Sequence, residues 1–362
     1  MSYSFLRESK LYIVYSGTKY RIYTSSAISF GQTFTDDSYS VKTLHDQSKM
    51  FEGVSITKAK PASFNFDVPL TIEKDESIVI DLLGDVTDGQ LKSFDVYVQT
   101  NSSTFKLENA IITSANIDFG KENQFTVQLE GQGTKLSRIS STSVTAGAFV
   151  VGYKYKITAT SVDGGASTDF TSIGAANNNV GTEFTASGAG SGTGTASYVI
   201  PGSAHSEQST RTPIMVYPVI TAVGLDMNNI ISATLQLQNN VEWTPFTNLH
   251  NSLSVTSSSN AMFPSGYTLG TRIISGEIRQ YQIDNNNSGD NVRQFDDFST
   301  NTNLTIKAIK MGEAVDADPF FQIQLNPVKY TARMDPADVY TQSYDYRSLD
   351  NTAVGTSITE YS

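Results

Sequence analysis

Apolar and polar residues alternate along most of the first 140 residues. Every second residue is apolar in SFDVYVQT (93–100) and in QFTVQLEGQG (124–133). Because successive side chains of a strand point to opposite faces, this period of two predicts β-strands with one buried face. Similar stretches resume from residue 207, as in ISATLQLQ (231–238) and FFQIQLNPVKYTARM (320–334). The pattern predicts a mainly β protein with β-sandwich domains at both ends of the chain.

One short segment favours a helix. The apolar residues of Glu76–Leu83 cluster, Asp75 is placed to cap the first turn, and Gly84 is placed to end the last one. The same apolar positions also fit a strand, so both structures stay open for this segment.

The segment 141–206 is nearly uncharged and rich in Gly, Ala, Ser and Thr. This composition predicts a small β module with glycine turns. Its bulky residues predict one small core, formed by Tyr155, Ile157, Phe170, Ile173, Val180 and Phe184. The division that follows is 1–140, 141–206, 207–350 and a polar C-terminal arm, 351–362.

The two ends of the chain repeat one another. Thr43-Leu44-His45 is matched by Asn248-Leu249-His250, 205 residues later, and Met50-Phe51 by Met262-Phe263, 212 residues later. Five further elements follow in the same order: Phe64–Leu70 with Gly276–Gln282, Ile78–Leu83 with Arg293–Phe298, Phe94–Val98 with Leu304–Ala308, Phe105–Gly120 with Phe321–Pro336, and Phe125–Leu136 with Val339–Leu349. Chance similarity between two β domains is the alternative, and the shared order argues against it.

Composition narrows the possible chemistry. The chain has no cysteine and three histidines, and it contains neither an HExxH nor a Gly-x-Ser-x-Gly motif. These absences disfavour an enzyme, a cofactor and an ordinary metal site. The net charge of −11 makes the chain a poor phosphate binder, although it could face DNA without gripping it. Plain solubility is the other reading of this charge.

Residues 1–140, and 207–350 less closely, resemble phage tail tube (major tail) proteins. The resemblance rests on an early hairpin, the polar loop TLHDQSKMF (43–51), the helix-like patch and the closing strands QFTVQLEGQGTKL (124–136). It implies two tandem tube-like β-sandwich domains, each with a short helix, in a virion tail. It also implies stacked rings that form the channel for DNA ejection, with tape measure, terminator and baseplate proteins as partners.

The middle segment carries a second resemblance. GYKYKI (152–157) and TDFTSIGAANNNVGTEFTASGAGSGTGTAS (168–197) are similar to a decoration module of phage structural proteins. Such modules project outward, whereas a passive spacer is the alternative.

Two domains in one chain predict trimeric rings with pseudo-six-fold symmetry, and hexameric rings are the alternative. Two sets of residues are candidates for the contacts of such a tube. The candidate inter-ring loop contacts are His45, Met50, Phe51, His250, Met262 and Phe263. The candidate lumen carboxylates are Asp95, Glu108, Glu130, Glu277 and Asp345. For the loop residues, packing beneath their own loops is an equal alternative.

A binding module is the competing function. A β-sandwich receptor- or glycan-binding protein of a phage baseplate, a fibre or a bacterial surface would use exposed aromatic residues such as Trp243, Tyr267 and Tyr281.

Overall fold

A computed structural model describes residues 9–40, 51–71, 76, 78–84, 90–120, 124–205, 214–222, 229–244, 263–264, 266–281, 302–314, 316–336, 339–348 and 358–359. The protein is mainly β, and a sandwich-like arrangement is consistent with its several sheets. Within the described part of the chain, no helix has the length and apolarity needed to cross a membrane.

The strands in chain order are β1 Lys10–Tyr15, β2 Thr18–Ile22, β3 Ser29–Gly31, β4 Phe34–Ser40, β5 Phe51–Ala59, β6 Ala62–Pro69, β7 Phe94–Gln99, β8 Ser103–Asp118, β9 Thr126–Gly133, β10 Lys135–Ser140, β11 Val144–Thr145, β12 Lys154–Ala159, β13 Glu183–Thr185, β14 Thr195–Tyr198, β15 Ser203–Ala204, β16 Val216–Ala222, β17 Ile230–Thr244, β18 Gly266–Tyr281, β19 Thr302–Lys310, β20 Phe321–Asp335, β21 Thr341–Ser348 and β22 Ile358–Thr359. Helix α1 spans Ile78–Leu83, and a 3-10 helix spans Thr171–Ile173.

The prediction of a helix near residue 80 is confirmed, because α1 begins at Ile78 and buries five of its six residues. The amide of Gly84 donates to the carbonyl of Asp81, which ends the last turn. Asp75, the expected cap, lies outside the described residues, as does Arg293–Phe298, the expected counterpart of the helix.

The chain divides into two compact units. The first contains residues 1–22, 94–108 and 136–207, and the second contains 23–93, 109–135 and 208–362. Strand β8 contributes residues to both, since the boundary falls between Glu108 and Asn109.

In the first unit the module sheet has the order β11-β14-β12-β13. Five of the six predicted core residues of the segment are buried there, together with Phe149, Ala196 and Tyr198. The prediction is wrong for Val180, whose side chain is 63% exposed, because it lies in the turn before Gly181, a residue with φ of +95°. The same core includes Tyr97 of β7 and is flanked by Tyr12 and Val14 of β1.

In the second unit a continuous sheet has the order β3-β6-β9-β8-β17-β18-β21-β20-β19-β16. Its core rows alternate with polar rows, as the period of two predicts. Phe64, Phe66 and Val68 of β6 are buried, for example, while the alternate residues Ser63 and Asn65 are exposed. The hairpin β4–β5 belongs to the same unit.

Two series of strands have the same pairing order. In the first unit β1 pairs with β7, which neighbours β8, and in the second unit β8 pairs with β9, β9 with β6, and β6 with β3. Further along the chain β16 pairs with β19, β19 with β20, β20 with β21, β21 with β18, and β18 with β17. The short strands β10 and β22 correspond as well, since each adds to the long strand β8 or β20.

A crowded glycine occupies corresponding pairs of the two series, with the roles of the strands reversed. On β9, Gly131 lies opposite Phe64 of β6, and on β18, Gly276 lies opposite Tyr346 of β21. A Cβ atom at either glycine would overlap both the opposing aromatic ring and a backbone carbonyl oxygen. Each pair therefore needs one residue without a side chain.

Candidate assembly interface

The junction between the two strand series is the pairing of β8 with β17 in the second unit. These strands run antiparallel, with Ser114–Asp118 opposite Thr234–Gln238. Alternation places Ala115 and Ile117 on the face where Leu235 and Leu237 lie, and all four side chains are at most 4% exposed. Backbone hydrogen bonds and apolar burial therefore act together at this junction.

One side-chain and one backbone hydrogen bond close the two ends of the junction. The Asn239 amide donates to the carbonyl of Ile112 at 2.8 Å, beside the irregular register of β8. At the other end the amide of Phe119 donates to the carbonyl of Ala233 at 2.9 Å. The sequence predicted the strands on both sides, but alternation alone does not tell which strand pairs with which.

The opposite face of this sheet is polar and mixed in charge. Glu130 and Asp345 are exposed on it, and Glu277 is partly exposed. These are three of the five candidate lumen carboxylates, and the pairing registers place them in rows of one face. Arg333 and Arg347 share that face, so it is not a wall of carboxylates alone.

Three carboxylates surround Arg333. Its guanidinium lies 2.7 Å from Glu277, 3.3 Å from Asp345 and 3.4 Å from Asp335. A hydrogen bond from the Ser343 hydroxyl holds the pKa of Asp335 below its ordinary value, and Arg333 adds to this effect. The cluster therefore favours the charged form of Asp335 and places three carboxylates around the guanidinium of Arg333.

The other two candidate carboxylates lie in the first unit, beside Lys106. The Lys106 amine is 3.3 Å from Asp95 and 3.2 Å from Glu108. Burial alone would lower the pKa of Lys106, but these two carboxylates outweigh it and raise the pKa above its ordinary value. The sequence pattern predicted the carboxylates of both clusters but not their cationic partners, Lys106 and Arg333. The spacing of Lys106 and Glu108, two apart in one strand, was a signal that could have found the first cluster.

The candidate inter-ring residues are only partly described. His45, Met50, His250 and Met262 lie outside the described residues, and of Phe51 the structure gives only its place at the start of β5. Phe263 is half-buried, and its ring lies edge-on to that of Phe34 with centroids 6.4 Å apart. The amine of Lys135 lies 5.0 Å from the Phe263 centroid, so this residue packs within its own chain.

Two of the aromatic residues expected for glycan binding also have partners in the chain. The indole of Trp243 donates to Gln132 at 2.7 Å, and its ring lies 5.3 Å from that of Tyr267. The Tyr267 hydroxyl accepts a hydrogen bond from the amide of Leu91. Tyr281 is 48% exposed. Near Trp243, a polar cleft of about 540 Å³ is lined by residues that include Gln132, Asn239, Asn240 and Glu242.

Comparison with known families fits a structural role. Residues 1–180 match the model of the Bacteriophage Baseplate Tube Protein Family. The matched stretch contains the first strand series through β10 and most of the module up to its 3-10 helix. The match supports a phage tail or baseplate tube protein, a structural component of the virion. A search of curated proteins finds no match for the chain.

Proposed function

We propose that this protein is the ring-forming subunit of a phage tail tube, through which DNA passes during ejection. The observation that carries the proposal is the β8–β17 pairing, which joins two equivalent strand series edge to edge within one sheet. A sheet that continues from one domain to the next inside a chain can continue from one chain to the next by the same contact.

The proposed organisation has tube-like domains at 1–140 and 207–350, the module at 141–206 as a decoration, and an arm at 351–362. The common pairing order of the two strand series supports the tandem domains. Since each chain supplies two equivalent domains, three chains fill six positions, giving a ring with pseudo-six-fold symmetry. Tape measure, terminator and baseplate proteins are the partners that such a tube requires.

The polar face with Glu130, Glu277 and Asp345 is the proposed channel wall. DNA carries about one negative charge per 1.7 Å of axis, and each lysine or arginine free to contact phosphate strengthens its binding. At this face Arg333 already has three carboxylate neighbours. Its attraction for phosphate is therefore reduced, which favours sliding of DNA over binding at this point of the face.

Electron microscopy of the purified, polymerised full-length chain tests the proposal. We expect stacked rings whose end views show six similar lobes, and a mass per ring of three times 39.3 kDa, about 118 kDa. A ring mass twice as large would replace the trimer by a hexamer and leave the tube intact. Discrete monomers or trimers that bind glycans and never stack would refute the tube itself.

A further inference from the structure

Two border stretches of the sheet in the second unit, one at β3 and one at the C-terminal end of β20, correspond to the two strands of its internal junction. This correspondence follows from the pairing registers. Phe66 pairs with Leu129, which pairs with Ala115, and in the second series Ile278 pairs with Tyr344, which pairs with Ala332. Residues 114–118 of β8 therefore correspond to 331–335 of β20.

Strand β17, the other side of the junction, also has a counterpart at the border of the sheet. Phe30 pairs with Phe64, and the β17–β18 register places Leu235 across from Gly276, the counterpart of Phe64. Residues 234–238 of β17 thus correspond to residues 29–33. The separation is 205 residues, which equals the separation of His45 and His250 in the sequence repeat. The sequence repeat and the strand register therefore agree here and for β6 with β18, which are 212 residues apart in both, whereas for β8 with β20 the strand register gives 217 and the sequence repeat 216.

The corresponding stretch of β20 has an apolar side chain at its surface. Within the described residues, 331–335 of β20 have β21 as their single strand partner. Met334, the counterpart of Ile117, is 40% exposed, whereas Ile117 is 1% exposed beneath Leu235. Thr331 and Arg333 beside it are exposed too. This edge has the exposure expected of β8 if β17 were removed from it.

The corresponding stretch of β3 also borders the end of the sheet. In the described part of the chain β3 pairs with β6 alone, and Ser29 and Thr33 are exposed. The backbone of Ser29–Gly31 extends along this border, and Gly31 has open space around the position of a Cβ atom. Gly31 therefore presents no side chain to a strand that pairs beyond β3.

We propose that residues 331–335 of one chain pair antiparallel with residues 29–33 of a second copy of this chain. In this pairing Met334 lies opposite Phe30, as Ile117 lies opposite Leu235 within the chain, and Thr331 lies opposite Thr33. The inference rests on the proposed ring, and it identifies the edge that closes it. The partner is another copy of the chain because its β3 corresponds to β17, the strand with which β8 already pairs inside the chain. A sulfur–aromatic contact adds to the apolar burial at the centre.

Cysteine cross-linking tests the register, since the chain has no cysteine of its own. Residues directly opposite in antiparallel strands have Cα atoms about 4.5–5.5 Å apart, within the range of a disulfide. We expect the variant with Thr33→Cys and Thr331→Cys to form interchain disulfides on oxidation, ending in a covalently closed ring. Mixing two single variants, one with each cysteine, should give covalent dimers.

The matched control carries Thr33→Cys and Thr221→Cys. Thr221 is an exposed threonine on β16, the strand at the other end of the sheet order. We expect at least tenfold less cross-linking in assembled rings of this control. Equal cross-linking of both double variants, or a disulfide confined to single chains, would overturn the proposed edge.

A charge at the edge provides an independent test. Met334→Lys should abolish ring formation while the chain stays folded, because an ammonium group would replace the central apolar contact. Met311→Lys is the control, since Met311 is similarly exposed at 47% and lies after β19. If Met334→Lys still forms rings, or if Met334→Lys and Met311→Lys both fail to form rings, the result counts against the edge. If the wild-type chain forms rings but the variant with Thr33→Cys and Thr331→Cys forms no interchain disulfide, the edge alone is refuted, whereas a wild-type chain that forms no rings refutes the proposed function.

Discussion

At the residue scale, the two glycine–aromatic pairs make room for a large ring between paired strands in two ways, with the glycine on one strand or on the other. Phe64 covers Gly131 in one series, and Tyr346 covers Gly276 in the other. The Tyr346 hydroxyl reaches further and donates to the carbonyl of Thr234 at 2.8 Å, so it also ties β21 to β17. The sequence does not show this equivalence, because the aromatic residue and the glycine exchange strands.

Replacing Gly276 by alanine should destabilise the protein. A Cβ atom there would overlap the carbonyl oxygen of Thr234 and the Tyr346 ring, and the backbone cannot move away without breaking the sheet. We expect Gly276→Ala to lower the free energy of unfolding by about 1–3 kcal/mol or more, measured by denaturant unfolding. Gly266→Ala, in the same strand with open space around it, is the control and should change it by less than about 0.5 kcal/mol. Equal losses of unfolding free energy in both variants would show that the effect comes from the flexibility of glycine in the unfolded chain and not from the contacts at Gly276.

At the element scale, alternation predicted most strands but not their partners. The stretches 93–100 and 124–133 became β7 and β9, each with the expected buried face. The pairing of β8 with β17 joins residues more than a hundred positions apart, and local pattern carries no information on such a contact. The polar loops that the repeat highlighted lie mainly outside the described residues, so the inter-ring role of His45, Met50, His250 and Met262 stays a prediction.

The module also shows the limit of sequence reasoning. Its small core was predicted from its bulky residues, but the core continues into β7 through Tyr97, a residue that alternation alone would place on the polar face. Burial raises the pKa of Tyr97, which is fully covered in the first unit. Strand β15 then pairs parallel with β2, so the segment is attached at its far end as well.

This attachment depends on Gly202. It has φ of +93°, and a Cβ atom would lie 3.1 Å from the carbonyl oxygen of Gly17 and 3.2 Å from the amide of Lys19. Gly202→Ala should weaken the β15–β2 contact, and we expect hydrogen exchange at Ser203 and His205 to quicken, since their amides donate to Gly17 and Lys19.

The control for this prediction is Gly147→Ala. Gly147 has a nearly equal φ of +97° with nothing within 4 Å of the added atom, so it carries the backbone strain without the contact. Unchanged exchange in Gly202→Ala, or the same acceleration in Gly147→Ala, would contradict the attachment.

At the scale of the whole molecule, strand number explains why one chain should not close alone. With strands about 4.8 Å apart and tilted by about 40°, eight strands would close at a diameter of about 16 Å, a width that side chains fill. The eight strands from β3 to β20 carry a polar row on one face, which such a closed core could not hold. Three chains would supply about 24 strands and a backbone diameter of about 48 Å. In the proposed ring the polar face would then line an open channel.

The charge balance of that face gives the last prediction. Glu277→Gln with Asp345→Asn removes two of the three carboxylates around Arg333, leaving its guanidinium available to phosphate. We expect assembled tubes of this variant to retain duplex DNA at low salt, with an affinity that falls as salt rises, by a slope of about 0.9 per phosphate contacted. Centrifugation of tubes with labelled DNA across a salt series measures this.

Glu313→Gln with Asp163→Asn changes the net charge equally at exposed positions elsewhere, and it should leave retention at the wild-type level. If both variants retain DNA equally, total charge governs passage, and the face with Arg333 is not the channel wall. Retention by the first variant alone would mean that the three carboxylates are placed there to keep one arginine from holding the genome.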